Sequence, residues 1–299
     1  MDTRVRFLGL NSIKFTLRFH QDDACYKYLA DIKWENGFTC KKCNCTGYCS
    51  GVKPYSRRCI KCSYDESSTS GTMFDKCKFP IHIAFHIAFH ICTKKKGMSS
   101  LELSNEFEQR QMTCWEFKWK VQQAMKSSLK YPLTGEVNVD ECFIGGEEEK
   151  KQGRSKGKKK LVIVALEKLP NNGVGRGYGQ IIDNASNISF RPFFEAHISK
   201  DADVVTDEWT GYIPLKNDYP NLKQIPSNKG KNHPDMHIHI MNLKGWLRGI
   251  HHHCSEERLQ GYLEEYHFRF NRRNNMETIF DTLLKRMVKY EPKRLNTDK

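Results

Sequence analysis

The sequence predicts an α/β protein: a mixed-sheet domain preceded by a small metal-stapled ribbon and a short helical region. Three observations carry that prediction. The stretch Glu136–Glu167 holds two apolar runs around a glycine pair and a charged loop. Val137 and Val139 alternate with polar neighbours, and residues 161–166 are continuously apolar, as in a strand buried on both faces. Asp140 and Asp207 each close a short apolar run, 67 residues apart, which suits strand ends converging on one site. Two CxxC pairs, Cys40 with Cys43 and Cys59 with Cys62, stand fifteen residues apart and can meet on one tetrahedral Zn²⁺.

Composition narrows the partners. Forty-nine Lys and Arg against 35 Asp and Glu give a formal net charge of +14, which favours a polyanion. No apolar run reaches the roughly 18–20 residues of a membrane span, and the N-terminus lacks a signal-peptide core, so a cytoplasmic protein without membrane partners is expected. In that reducing compartment twelve cysteines are not a disulfide framework, and their spacing decides their use.

In chain order, residues 15–36 read as a helix. The ribbon follows, its metal mainly structural because so small a unit has little core of its own; Cys45 and Cys49 inside it are bystanders. Ser67–Gly71 is a linker. His82, His86 and His90 recur every four residues on one helical face, but their neighbours are apolar and no acid accompanies them, so they read as partly buried structural histidines. Ser99 or Ser100 caps a short helix, and Gln111 opens another, a helix-turn-helix-like pair. Tyr131–Gly135 links to the hairpin, whose tip carries Lys156, Lys158, Lys159 and Lys160 toward solvent or phosphate. Asn171–Gly179 reads as a Gly-rich turn, Tyr178–Ile182 as a strand, Ser189–Ala196 as a helix and Asn217–Pro234 as a polar loop. Residues 237–253 hold the densest set of ligand-type side chains, ending in His251, His252 and His253. Leu259, Tyr262, Leu263, Tyr266 and Phe270 form a helical stripe, followed by a basic amphipathic helix and a charged tail.

The ribbon, VDECFIGG, the basic tip, VVTDEWTGY, NLKGWLRGIHHH and YLEEYHFRFNRR, in that order from about Cys40 to Arg273, resemble the insertion-sequence family 1595 transposases, a branch of the DDE type. The resemblance implies an RNase H-like catalytic domain over 136–290, after an N-terminal helix and zinc ribbon over 15–70 and a helical DNA-binding region over 71–130. It implies binding of the terminal inverted repeats of a mobile element, metal-dependent cleavage and transfer of DNA strands into target DNA, and a homodimer or higher oligomer on the DNA. Two-metal phosphoryl transfer requires carboxylates that clamp Mg²⁺ or Mn²⁺, and Asp140 and Asp207 are the expected pair. The third position carries Asn242 where other DDE enzymes place a glutamate; an amide oxygen can ligate a hard cation but cannot act as a base. Lys244 matches the family's lysine and is expected on DNA phosphate, with Arg248 beside it. His237 or His239, or a carboxylate from Glu264 or Glu265, are alternatives for the third ligand. A zinc-dependent DNA-binding regulator without catalysis, and a nuclease without joining activity, are the competing functions.

Overall fold

The computed structural model describes residues 6–145, 159–170, 173–228, 231–251 and 254–289. They fall into two compact units, Met1–Met125 with Asn274–Lys299, and Lys126–Arg273.

In the first unit the expected single helix is two, α1 (Ser12–Arg18) and α2 (Asp22–Lys33). The chain turns between them because Phe15 and Phe19 both point into an aromatic core, where Phe15 stacks on Phe89 at 4.0 Å and meets Phe280 edge-on at 4.9 Å. Three short antiparallel strands, β1 (Tyr48–Ser50), β2 (Arg57–Cys59) and β3 (Asp65–Glu66), make the ribbon. Its Arg57 guanidinium lies 4.0 Å from the Tyr48 ring and 4.6 Å from that of Trp34. Helix α3 (Ile81–Thr93) carries the histidine row, and each member has a structural task. His82 Nδ1 is 2.6 Å from Asp22, the His86 ring meets Phe15 edge-on, and His90 lies 2.9 Å from Glu106. Helix α4 (Ser100–Phe107) begins on a capping box between Ser99 and Glu102 and ends at Glu108 in the left-handed conformation; α5 (Gln111–Met125) follows after three residues. The C-terminal helix Ile279–Lys289 packs on α2, α3 and α5, so this unit includes residues that the sequence division assigned to the catalytic domain.

The second unit is built on a five-stranded sheet. Its strands are β4 (Glu136–Ile144), β5 (Lys160–Lys168), β6 (Val174–Ile182), β7 (Asp203–Thr206) and β8 (Lys223–Gln224), ordered β6-β5-β4-β7-β8. β5 runs antiparallel to both neighbours, whereas β7 and β8 run parallel to β4. This mixed sheet, with only its second strand reversed, is the RNase H-like arrangement.

Alternation along β4 divides two cores. Val137 and Val139 face one side, covered by α6 (Asn187–His197) and the 3-10 turn Thr210–Asn217, while Cys142 and Ile144 face the other, covered by α7 (Pro234–Ile250) and α8 (Glu256–Phe270). β6 begins at Val174 rather than Tyr178, so the expected glycine turn is largely strand. Its glycines serve close approach: a Cβ on Gly179 would lie 2.7 Å from His267 of α8, and one on Gly175 would lie 2.4 Å from Glu167. Residues 234–250 are helical because Met236, Ile240, Leu243 and Leu247 repeat at three- and four-residue spacing onto the sheet. Among the described residues no helix is long and apolar enough to cross a membrane.

Candidate active site

Asp140 stands at the fifth of nine positions in β4, opposite Val164 of β5, so the strand continues past it for a full turn of the pleat. The parallel register pairs Asn138 with Val205, and Asp140 and Asp207 each lie two residues further on, Asp207 just past the end of β7. Val137 pairs with Val204 on the α6 face, so by alternation within β4 Asp140 falls on the opposite face, the one covered by α7.

Backbone groups hold both. The Glu141 N–H donates to Asp140 Oδ1 at 2.8 Å, and the Trp209 N–H donates to Asp207 Oδ1 at 3.1 Å. Glu141, turned to the α6 face, accepts a 2.6 Å hydrogen bond from Tyr212, whose ring is fully buried and stacked on Phe190 at 4.5 Å. Burial, followed by the charges of Glu141, Asp140 and Asp207, raises the Tyr212 hydroxyl well above the ordinary tyrosine range, so three carboxylates lie within electrostatic reach of one buried phenol. Glu141, Tyr212 and Trp209 were not foreseen as site residues. The signal was present in DECFIGG and DEWTGY, where the residues after each aspartate are as distinctive as the aspartate itself.

Helix α7 carries Lys244 within electrostatic reach of Cys142 in β4. Cys142, on the same face as Asp140, has its thiol pushed up to about 12 by burial, with Lys244 pulling it down and Asp140 and Glu141 pushing it up. Asn242 lies elsewhere on the helix. Residues two apart are separated by about 200°, so Asn242 and Lys244 occupy opposite flanks. Asn242 is exposed on the flank of His239 and Trp246, whose rings pack on Tyr266 of α8 at 5.5 and 5.6 Å. His237 and Arg248, both exposed, share the flank of Lys244. His239 is buried with its Nε2 3.2 Å from His267 Nε2, and burial takes its pKa down to about 3.

The alternative carboxylates are engaged on α8, over β6. Glu264 accepts from the Ser127 N–H at 3.0 Å and from Gln260 at 3.1 Å; fully buried Glu265 faces Arg269 at 3.7 Å. Lys160 pairs with Glu256. His251 stacks on Tyr262 at 3.7 Å. Lys156, Lys158, His252 and His253 lie outside the described residues.

In the first unit Cys40, Cys43, Cys59 and Cys62 offer sulfurs that all lie within 4.8 Å of one another, with Cys40–Cys62 and Cys43–Cys59 at 3.5 Å. Tetrahedral Zn–S bonds of about 2.3 Å place sulfurs about 3.8 Å apart, so four thiolates here fit a metal ion. Cys45 and Cys49 instead direct their thiols to the carbonyls of Gly47 and Arg58.

The sheet is RNase H-like, with Asp140 inside β4 and Asp207 directly after the adjacent parallel strand β7. Residues 132–271 match the ISXO2-like transposase domain, the domain of insertion-sequence family 1595, and the second unit carries it. Among solved structures, a pre-cleavage Mos1 transpososome shares 11% identity at a TM-score of 0.27, over 67% of this chain and 76% of that one. Among curated proteins none matches the chain.

Proposed function

We propose that this protein is a transposase that binds the terminal inverted repeats of a mobile element and cleaves and transfers DNA strands at Asp140 and Asp207. The observation that supports it most is the parallel β4–β7 register, whose last pair, Asn138 with Val205, lies two residues before Asp140 and Asp207, within a transposase-family domain. Asp140 and Asp207 would hold Mg²⁺ or Mn²⁺, which when bound activates the attacking oxygen and neutralises charge at the phosphate. The chain's own residues preorganise the site. The Glu141 and Trp209 N–H groups fix one oxygen of each aspartate, and Tyr212 fixes Glu141. Lys244 supplies a point charge toward the scissile phosphate, with Arg248 on the same flank and Lys159 and Lys160 of the hairpin contributing to the approach of the backbone.

The four cysteines would hold one structural Zn²⁺, and the ribbon with α4 and α5 would read the element ends. An oligomer on the DNA follows from the need to hold two ends together. Asp207→Asn tests the catalytic reading: Mn²⁺-dependent strand cleavage is lost while DNA binding and its steep salt dependence remain. Wild-type protein that binds element ends but never cuts them identifies a regulator instead.

A further inference from the structure

Beside the paired aspartates, on the α6 side of the sheet end, lies an open cleft of about 510 Å³. Its apolar walls are Phe143, Leu161 and Trp209, and its exposed rim is Asp183 and Asn184; Asp140 also borders it. We propose that this cleft receives a single unstacked nucleobase from the strand being cut, stacked on the Trp209 indole, a reading that rests on the cleavage site proposed above.

Three features support it. The indole is built in place: Trp209 Nε1 donates to the Ala185 carbonyl at 2.6 Å, while its backbone N–H holds Asp207. Residue 211 must be glycine for that lock, because a Cβ there would lie 2.6 Å from the Ala185 oxygen and 2.8 Å from Trp209 Nε1. The ring that walls the cleft belongs to the residue whose backbone N–H holds Asp207, and Asp140 borders the same cleft, which ties the cleft to the proposed cleavage site.

Size and charge select the occupant. The volume suits one small planar group, whereas a duplex cannot enter. The Asp183 carboxylate at the rim accepts hydrogen bonds, which favours a neutral base bearing an exocyclic amino group: adenine, cytosine or guanine. Aromatic walls supply the stacking that an extruded base gives up in the duplex.

A thermodynamic cycle tests this with the full-length protein. The probe is a fluorescein-labelled duplex carrying a short single-stranded 3′ overhang, with overhang bases replaced one at a time by abasic sites, and binding is read by anisotropy in Ca²⁺. One abasic position should weaken wild-type binding about tenfold or more, the scale of one base–aromatic stack. Trp209→Ala should show the same loss on intact DNA and no further loss on that abasic probe, Trp209→Phe should recover most of the affinity, and thymine at that position should bind more weakly than adenine. Losses that simply add, or an overhang at which no base matters, overturn the pocket. Phe143→Ala, elsewhere in the lining, must give the same non-additivity, which guards against a folding defect at Trp209. Mn²⁺-dependent cleavage that persists while the cycle is additive removes the pocket and leaves the transposase reading standing.

Discussion

Tyr212→Phe is the most informative single change in the site. The hydroxyl is fully buried and donates to Glu141 at 2.6 Å, while the ring keeps its stack on Phe190 when the oxygen goes. The loss is therefore confined to one hydrogen bond to a carboxylate, about 1.5–3 kcal/mol. Glu141 is partly exposed and regains water, which puts the expectation near the lower bound, about 1.5 kcal/mol. Equilibrium urea unfolding of Tyr212→Phe, Glu141→Ala and the double variant measures the coupling, with hydrogen exchange of β4 amides assigning the transition to the sheet. The double variant should cost clearly less than the two singles together. Because the Glu141 N–H also orients Asp140, the Mn²⁺ concentration giving half-maximal cleavage should rise severalfold in Tyr212→Phe with DNA affinity unchanged. Strictly additive stabilities, together with an unchanged Mn²⁺ dependence, would refute the claim that this phenol organises the site.

Other outcomes follow from the same structure. Burial lowers His197 from 6.5 to about 4, so the folded state refuses a proton that the unfolded chain accepts. Stability from this residue is complete above about pH 6.5 and lost progressively toward pH 4, about 3 kcal/mol in all, and His197→Phe should flatten the acid limb of a stability–pH curve. Gly179→Ala forces a methyl against His267, whose ring is pinned by Leu263 O at 2.8 Å and by His239; unfolding should be easier by about 1–3 kcal/mol in urea titration. Cys59→Ser, or a strong chelator, should release one zinc per chain and abolish exchange protection in β1–β3, while β4 and β5 stay protected. Retained ribbon protection without metal would count against a structural zinc.

The local rules of the chain determined a good part of this protein. Paired CxxC spacing brought four sulfurs together because each knuckle is a short-range turn, and the apolar run 161–166 became a strand buried on both faces because only an interior sheet position covers it. The capping box at Ser99 and the apolar face of the histidine row were likewise local matters. Register and helix rotation were not. Asp140 looked like a strand end because the apolar run breaks there, yet β4 continues to Ile144 because β5 supplies partners on both sides of the break. The glycines of 173–179 looked like a turn, since sequence cannot distinguish a glycine needed for its backbone freedom from one needed to admit α8. On α7, Asn242 and Lys244 are near neighbours in sequence and opposite flanks in space. How the helix is rotated was decided by the two apolar surfaces, sheet and α8, that it has to cover at once.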